Sequence, residues 1–264
     1  MARRLVAALL PEPVKAFLRR RAIAPLSERF RSYRGVPLRH APQARMDLVR
    51  GDGISDAIAA HGVWEPDVSR ELVALAAGGG TFVQVGANLG YFPILWAAAR
   101  PDNTAYAFEP VERNVSLLRR NVRQSGLADR VHVLPVAAGG KTEIARFDDG
   151  PAEQTGWGGL ASGSGPSGTS VVVVRLDDLF PDRVIDVLMI DTEGADTWVL
   201  AGCERMLREK RVRALYYEQN KPRMRLLGIT EGESERFLES VGYKPVRMSD
   251  PAADVAEWRA APAG

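Results

Sequence analysis

The sequence predicts an α/β fold in which a mostly parallel sheet carries helices on both faces, preceded by an N-terminal helical extension. From residue 81 onward, short apolar strands alternate with amphipathic helical segments, as they do in βαβ units. A glycine-bearing turn joins the first of these strands to its helix. Because crossovers between parallel strands are nearly always right-handed, such units build one twisted sheet with helices above and below it.

The predicted elements follow one another at regular intervals. Strands are expected at residues 81–85, 104–109, 131–136, 142–147, 170–175, 184–191, 212–218 and 243–248. Helices are expected at residues 91–99, 112–123, 197–209 and 231–241, with two more inside residues 53–77. The last residues, up to 264, are rich in Ala and Pro, and we expect them to be frayed.

Two regions divide the chain in this interpretation. Residues 1–70 form a helical cap that can contact a substrate or a second copy of the chain, and residues 71–264 form the main domain. Within that domain, residues 148–170 are rich in Gly and Ser and carry Trp157. Long loops without secondary structure are often lids, so we expect a mobile lid here, with a disordered surface insertion as the alternative.

The composition and charge narrow the classes of function. Of the 264 residues, 45% are apolar, which is typical of a globular protein with a buried core, and the net charge is only +2. Ten Lys and Arg residues nevertheless crowd the first forty positions. We interpret them as a solvated basic face, with a phosphate, membrane or nucleic-acid contact as the alternative, and do not expect nucleic acid as the partner.

Cysteine content and apolar runs indicate where the chain works. Cys203 is the only cysteine, so no intramolecular disulfide can form, which is typical of the reducing cytosol. No apolar run approaches the ~20 residues that span a bilayer. Residues 5–10 are shorter than the apolar part of a signal peptide and are followed by Pro11 and Pro13. We therefore expect a cytoplasmic protein without a membrane span.

The turn after the first predicted strand is suited to a ligand. Gly86, Ala87 and Gly90 lack bulk around Asn88, so the backbone can pass close beneath a ligand at the strand's carboxyl end. Tight turns also use glycine for purely steric reasons, so this signal alone is moderate. The next strand ends at Glu109, and a carboxylate at that place can accept hydrogen bonds from both hydroxyls of a ribose.

The residues around this turn favour one nucleoside cofactor over another. A dinucleotide fingerprint would have glycine at positions 88 and 91, where this chain has Asn88 and Tyr91. Side chains there crowd a pyrophosphate but leave room for an adenosine with an amino-acid tail. The turn therefore favours S-adenosylmethionine (SAM) over NAD, and it argues against an NAD-dependent oxidoreductase.

Six motifs together resemble the FkbM family of SAM-dependent methyltransferases. They are Gly62-Val63-Trp64-Glu65-Pro66, Val85-Gly86-Ala87-Asn88-Leu89-Gly90, Phe108-Glu109-Pro110 with Asn114, Val136-Ala137-Ala138-Gly139, Leu176-Asp177-Asp178-Leu179 and Ile190-Asp191-Thr192-Glu193-Gly194-Ala195. The resemblance spans residues 52–248, and the order and spacing of the motifs are more specific than any one of them. It implies a Rossmann-like methyltransferase fold and, usually, O-methylation of a sugar or natural-product hydroxyl.

The resemblance also assigns residues to the cofactor. It implies that Pro110 follows the ribose-binding Glu109, and that Ala137 and Ala138 lie along the adenine edge and leave room for the ring. The family usually has an acidic residue where this chain has Gln84, and that carboxylate helps to hold the methionine amine of SAM. Gln84 can accept with its amide oxygen but lacks the charge, so we expect cofactor binding to survive and to weaken.

Three carboxylates are candidates for catalysis. Asp191 and Glu193 follow a buried apolar strand, and they can act as general base and substrate clamp or hold a divalent cation. The alternative is that Asp191 caps the next helix and Glu193 pairs with an arginine. Two carboxylates are too few to establish a metal site. Glu218 ends the following strand at the same rim and is a third candidate base.

The expected substrate is a small hydroxylated molecule, such as a natural product or its sugar. Its candidate contacts are Trp64, Trp157, Tyr217 and Asn220, although tyrosines on strands more often pack in the core. The alternatives are an N- or C-methyltransferase acting on a metabolite, or a non-catalytic module that binds SAM or RNA. A homodimer through the N-terminal helices is also open.

Overall fold

The computed structural model describes residues 32–161 and 168–263. Most of the basic cluster, and the part of the predicted helical cap that precedes residue 32, lie outside the described residues. Residues 162–167 of the predicted lid at 148–170 also lie outside them. None of the helices in the two described ranges is long and apolar enough to cross a membrane.

Strands and helices alternate through most of the described chain. The strands are β1 (Val36–Leu38), β2 (Ala41–Met46), β3 (Thr81–Val85), β4 (Thr104–Phe108), β5 (Val131–Leu134), β6 (Ala137–Ala138), β7 (Glu143–Asp148), β8 (Gly159–Leu160), β9 (Thr169–Val174), β10 (Ile185–Ile190), β11 (Val212–Asn220), β12 (Tyr243–Arg247) and β13 (Val255–Pro262). The helices are α1 (Gly53–His61), α2 (Pro66–Ala76), α3 (Tyr91–Ala99), α4 (Glu112–Gln124), α5 (Leu176–Leu179), α6 (Asp196–Ala201), α7 (Glu204–Arg208), α8 (Lys221–Leu226) and α9 (Glu233–Ser240).

Seven strands form the central sheet, in the order β12, β13, β11, β10, β3, β4, β5. The strands from β11 to β5 run parallel, whereas β13 is antiparallel to both of its neighbours. The chain proceeds from β3 outward to β5 and then returns to β10 on the other side of β3. The strand order therefore reverses between β3 and β10, and open α/β sheets bind ligands at the carboxyl ends of strands around such a point.

Apolar layers cover both faces of the sheet, which confirms the predicted Rossmann-like α/β fold. On one face, α2, α3 and α4 bury Leu72, Trp96 and Leu118 against strands β3 and β4. Trp96 is fully buried and its ring stacks on that of Phe82, with centroids 5.5 Å apart. On the other face, α5, α6, α7 and α9 pack against β10 and β11. The central strands β3 and β10 can be apolar on both sides because helices cover both of their faces.

Three features differ from the sequence expectation. Residues 36–46 form the antiparallel pair β1–β2 where helical patterns were expected. The expected helix at 197–209 is divided into α6 and α7 at Gly202, where a Cβ atom would lie 2.1 Å from the Gly139 carbonyl oxygen. The tail is not frayed, because β13 lies inside the sheet and buries Ala256 and Ala260.

A second, four-stranded sheet lies beyond the edge of the first, in the order β6, β9, β7, β8. Its inner side buries Phe147, Val171 and Val173 against Val111, which precedes α4. The loop expected at 148–170 is thus partly ordered, since Gly159–Leu160 pairs with β7. This small sheet forms a wall beside the carboxyl ends of β4 and β5.

Asn121 on α4 joins the N-terminal segment to the glycine-bearing turn. Its side chain is fully buried. Its Oδ1 accepts from the Asp47 amide at 2.7 Å, and its Nδ2 donates to the carbonyls of Asp47 and Leu89 at 3.1 and 3.0 Å. One amide therefore satisfies three backbone groups from two segments that lie more than thirty residues away in sequence.

We expect Asn121→Ala to lower the free energy of unfolding by about 2–3 kcal/mol, because it leaves a buried amide and two carbonyls without partners. Urea denaturation followed by circular dichroism measures the change. The exposed Arg119 on the same helix gives the control, and Arg119→Ala should stay within about 0.5 kcal/mol of the wild type. Equal stability of the two variants would contradict the bridging role of Asn121.

Candidate functional site

A cavity with a volume of about 300 Å³ lies at the carboxyl edge of the central sheet. Strands β3, β4, β10 and β11 supply its floor, α1 and the start of α2 supply one wall, and the small sheet supplies another. Residues 154–158 and 160 lie above it among the lining groups. The cavity therefore opens at the predicted place, beside the point where the strand order reverses.

The turn after β3 is shaped by contacts that leave no room for a side chain. The amides of Gly86 and Ala87 both donate to the Phe108 carbonyl, at 3.0 and 2.9 Å. Gly86 has a φ of +83°, and a Cβ atom there would lie 1.8 Å from the Asp191 carbonyl oxygen. Only glycine fits this conformation and this approach, so the turn brings the ends of β3, β4 and β10 together.

Glu109 is buried at the end of β4 and organises the turn. Its Oε2 accepts from the Asn88 amide at 2.8 Å, and its Oε1 accepts from the Val111 amide at 3.0 Å and from Asn114 Nδ2 at 3.4 Å. Burial raises the pKa of Glu109 to about 7, although these hydrogen bonds oppose the increase. A carboxylate has about four acceptor positions, so Oε2 keeps one for a ligand hydroxyl.

The far end of the cavity beside β5 is small and apolar. Val136, Ala137 and Ala138 line it, and the ring of Phe147 lines the wall supplied by the small sheet. Both alanines are nearly fully buried by the surrounding protein. A flat ring can pack against these side chains. The family resemblance places the adenine of the cofactor at this same end of the cavity.

Carboxylates follow one another along the edge of the sheet in a single register row. The paired residues one step before the edge are Phe108, Val85, Ile190, Tyr217 and Trp258. The next residues outward on the same five strands are Glu109, Gly86, Asp191, Glu218 and Glu257. We call the four carboxylates among them the acidic row. Because adjacent strands lie about 4.8 Å apart, the row spreads its charges across the whole site.

The carboxylates near the centre of this row resist ionisation. Asp191 lines the cavity and is exposed there, while desolvation by the surrounding protein and the neighbouring Glu193 raise its pKa. Burial and the neighbouring Asp191 raise the pKa of Glu218 well above its ordinary range. Burial and Asp191 likewise raise the pKa of Glu65 to about 8. Like charges so close together cannot all ionise, so the unliganded site holds protons near neutral pH.

Glu193 is tied to the chain around it. Its Oε2 accepts from Asn220 Nδ2 at 2.8 Å and lies 3.4 Å from Arg223 Nε. Arg223 also donates to the Trp157 carbonyl at 2.8 Å, so one guanidinium links the rim to the segment above the cavity. Asp191 does not cap the following helix, since the residue at that cap is Ala195.

The segment above the cavity is fixed on its other side by α1. The Thr155 amide donates to Asp52 Oδ1 at 3.0 Å, and the Thr155 carbonyl accepts from Asn114 Nδ2 at 2.9 Å. Asp52 also caps α1 by accepting from the Ser55 amide at 2.9 Å. Residues 154–158 therefore form a roof that rests on an N-terminal helix and on α4.

Backbone strain is concentrated at this cavity. In the described chain, the non-glycine residues with positive φ are Glu65, Asn88, Glu193 and Lys210, and the first three line the cavity. Each such conformation costs of order 1–3 kcal/mol and persists where surrounding contacts enforce it. Their clustering is typical of a functional site.

The cavity collects most of the residues that the sequence selects. Its lining includes the predicted residues Gly86, Asn88, Glu109, Pro110, Ala137, Ala138, Asp191, Glu193, Glu218, Trp64 and Trp157. Ala87 and Gly90 shape the turn without lining the cavity, and Asn220 acts through its contact with Glu193. Trp157 keeps about half of its surface exposed.

Gln84 and Tyr217 lie instead in a smaller chamber beside the main cavity, with a volume of about 50 Å³. Glu65, Asp191 and Glu218 line both spaces, so the chamber adjoins the acidic row. The Oε1 atom of Gln84 is buried and has no hydrogen-bond partner among the described residues. An unpaired acceptor in such a position is suited to a ligand donor.

Some lining residues were not selected from the sequence. Asp52 and Ile54 come from α1, and Phe147 and Thr155 come from the small sheet and the roof. Asp52 followed three residues later by Ser55 is a readable helix-capping pattern, but its bond to Thr155 joins positions 103 residues apart. Only the folded chain brings these residues together.

A metal site finds no support in the described part of the chain. No group of three or more His, Cys, Asp or Glu residues within 32–161 and 168–263 is placed to hold a metal ion. The divalent cation considered at Asp191 and Glu193 therefore has no complete set of protein ligands among the described residues.

The close approach of Gly86 to the Asp191 carbonyl can be tested by comparing alanine substitutions at Gly86 and at a second glycine of similar backbone conformation. Gly126 has a φ of +69° and open space where a Cβ atom would lie. Gly126→Ala should therefore cost about 1–2 kcal/mol of unfolding free energy, from the left-handed conformation alone. Gly86→Ala should cost at least about 2 kcal/mol more, because the added carbon meets the Asp191 carbonyl. Equal costs in urea denaturation would contradict the close approach.

The buried acids predict the direction in which pH changes stability. In the unfolded chain Glu65 loses its proton near its ordinary pKa of 4.5, whereas in the folded chain its raised pKa keeps the proton until about pH 8. The folded state thus binds more protons between these values, and the free energy of unfolding falls as pH rises from about 5 to 8. Denaturation across this range should show a smaller fall in Glu65→Gln, with exposed Glu112→Gln unchanged from the wild type. Identical slopes for all three proteins would show that Glu65 is not buried in this way.

Comparison with known proteins bears on the chemistry of this site. The family model described as the methyltransferase FkbM domain matches residues 84–245, which is more than half of the chain. No curated protein matches the chain.

Solved structures of methyltransferases resemble the chain at low identity. The FkbM methyltransferase from Methylobacillus flagellatus KT is 17% identical, with a TM-score of 0.49, over 79% of this chain and 54% of that one. Precorrin-6y C5,15-methyltransferase from Geobacter metallireducens GS-15 is 12% identical, with a TM-score of 0.43, over 75% of this chain and 89% of that one. TrmK from M. capricolum, solved with S-adenosylhomocysteine, is 12% identical, with a TM-score of 0.44, over 74% and 67% of the two chains. On the extent of the family-model match, the chain belongs to the FkbM methyltransferase family.

Proposed function

We propose that the chain is a SAM-dependent O-methyltransferase that acts on a hydroxyl group of a small molecule, such as a natural product or its sugar. The observation that carries this proposal is the arrangement of the cavity floor. Glu109 at the end of β4 and Asp191 at the end of β10 lie on either side of the Gly86 turn. A nucleoside-binding carboxylate and a candidate base therefore share one cavity.

The residues present fit the cofactor. Glu109 Oε2 has an acceptor position for the ribose hydroxyls, and Ala137 and Ala138 place only small side chains at the end of the cavity proposed for the base. The buried Oδ1 of Asn88 lines the same cavity and has no partner among the described residues, so it can accept a hydrogen bond from a ligand. The bare backbone at Gly86 lets a ligand approach the floor closely.

Carboxylates at the rim of the cavity are the candidates for removing the proton from the acceptor hydroxyl. SAM, when bound, supplies an electrophilic methyl group on a positively charged sulfur. Asp191 is the candidate that accepts the proton of the acceptor hydroxyl, and burial raises its pKa toward the operating pH, where a general base works best. Glu218 is the alternative base, and Glu193 is held by Asn220 and Arg223 in a position to contact the substrate.

The proposed domain roles follow from the walls of the cavity. We infer that residues 1–70 act as a cap, since Asp52, Ile54 and Trp64 line the cavity. Residues 148–170 then act as a lid, of which residues 154–158 are the roof. The cytoplasmic location and the homodimer stay predictions from the sequence.

Calorimetry with SAM and with S-adenosylhomocysteine (SAH) tests the cofactor assignment. We expect micromolar binding of both to the wild type. Glu109→Ala should weaken binding by at least about tenfold, because a hydrogen bond to a charged group is worth about 1.5–3 kcal/mol. The exposed Glu112→Ala, three residues further along the chain, should bind as tightly as the wild type.

Since Glu109 also holds the turn, its loss can unfold the site. Glu109→Gln keeps the volume, and thermal unfolding of each variant shows whether it is folded. Binding of NAD instead of SAM, or of neither ligand by a folded wild type, would overturn the proposal. If SAM binds, radiolabelled methyl transfer to alcohols and to amines separates O-methylation from N-methylation.

A further inference from the structure

The small chamber beside the main cavity has a distinct position. It extends from Gln84 on β3 across β10 and β11 to β13, whereas the nucleoside contacts lie over β4 and β5. In the register row, Glu257 is four strands away from Glu109, or roughly 19 Å at the usual strand spacing. The end of the chamber beside Glu257 and Trp258 is therefore on the side of Asp191 that is remote from Glu109.

The walls of the chamber are aromatic. The rings of Tyr217 and Trp258 stack with centroids 6.0 Å apart and planes inclined by 10°, and Tyr216 and Phe92 complete the lining. The hydroxyl of Tyr217 and the Nε1 of Trp258 are buried without partners among the described residues. Aromatic faces attract cations through their quadrupole, with about 0.5–2 kcal/mol for each contact.

The charged groups that line the chamber are all acids. They are Glu65, Asp191, Glu218 and Glu257, and the described lining includes no Lys, Arg or His. Two arginines lie on the strands at this end of the sheet, and one of them covers a face of the Trp258 ring. Arg247 lies 5.8 Å from the Trp258 ring centroid without lining the chamber, and Arg259 binds Glu71 at 2.7 Å. With the unpaired Oε1 of Gln84, the chamber offers acceptors and lacks a basic group.

We propose that this chamber holds a positively charged amino group of the methyl acceptor, so that the substrate is a hydroxylated compound that carries an aliphatic ammonium. This inference rests on the proposed methyltransferase function, because it assigns the chamber to the acceptor. A volume of about 50 Å³ suits an ammonium with an attached methylene, since a liquid water molecule takes about 30 Å³. The same acids would repel a carboxylate or a phosphate at this place.

The amine of the cofactor is the other cation that could enter the chamber. Eight covalent bonds separate a ribose hydroxyl oxygen from that amine, and at about 1.5 Å each they span no more than ~12 Å. Gln84 lies one strand from Glu109, so this reach takes the amine to the Gln84 end of the chamber, whereas Glu257 lies three strands further along the row. The part of the chamber beside Glu257 and Trp258 is therefore left for the acceptor.

Three alcohols that differ only in the charge of their far end test the proposal. They are 3-aminopropan-1-ol, which is a cation at neutral pH, the neutral propane-1,3-diol, and the anionic 3-hydroxypropanoate. Ligand-observed NMR measures the binding of each to the full-length protein, first alone and then saturated with SAH. We expect millimolar binding of the amino alcohol, at least tenfold tighter than that of the diol, and no binding of the anion.

Two variants locate the binding. Glu257→Gln should weaken the amino alcohol about tenfold, as expected for the loss of a charged partner. Glu143→Gln on the exposed side of β7 should change nothing. Thermal unfolding confirms that both variants are folded.

Any other result would contradict the assignment of the chamber to an ammonium group of the acceptor. Equal binding of the diol, or binding of the anion, would show that charge does not select the occupant. Loss of the amino alcohol when SAH binds would assign the chamber to the cofactor's amine. If SAH itself does not bind, the proposed function fails, while the three alcohols still decide whether the chamber selects a cation.

Discussion

The approach of Gly86 to the Asp191 carbonyl is the constraint on which the site depends. It requires a residue without a side chain, and it lets the carboxyl ends of β3, β4 and β10 meet at one turn. The Gly86 and Ala87 amides then share the Phe108 carbonyl, and the Asn88 amide reaches Glu109. A bulkier residue would separate the strands, so the two carboxylates of the proposed chemistry owe their proximity to this one contact.

The site is assembled at a cost to stability. The acidic row places carboxylates on neighbouring strands, and those near its centre have pKa values raised by burial and by one another. Strained conformations at Glu65, Asn88 and Glu193 add to this cost. The two buried faces of the central sheet compensate for it. A ligand that brings positive charge would stabilise the ionised row, so ligand binding and proton release are coupled here.

The sequence predicts the parallel part of the sheet because its signals are local. Thr81–Val85 and Tyr91–Ala99 have the bounds that apolar periodicity and the glycine turn indicate. The inner strand β13 is missed, since Ala and Pro are poor strand formers and its position between β11 and β12 comes from pairing with remote residues. Ala256 and Ala260 are both buried, an even spacing that is the one readable sign of this strand. The pair β1–β2 is missed for a similar reason, because Asn121 holds that segment from 74 residues away.

The contrast between local signals and remote contacts also distinguishes the proposed cofactor side of the site from the proposed acceptor side. The contacts proposed for the cofactor lie between residues 84 and 138, on consecutive strands and turns, so their spacing in sequence reflects their spacing in space. The proposed acceptor side combines Glu65, Glu218 and Glu257 with a roof that Asp52 holds across 103 residues. Each of these elements can vary without disturbing the Gly86 turn. The cofactor half can therefore be predicted from the spacing of residues in sequence, whereas the acceptor half depends on contacts between remote segments.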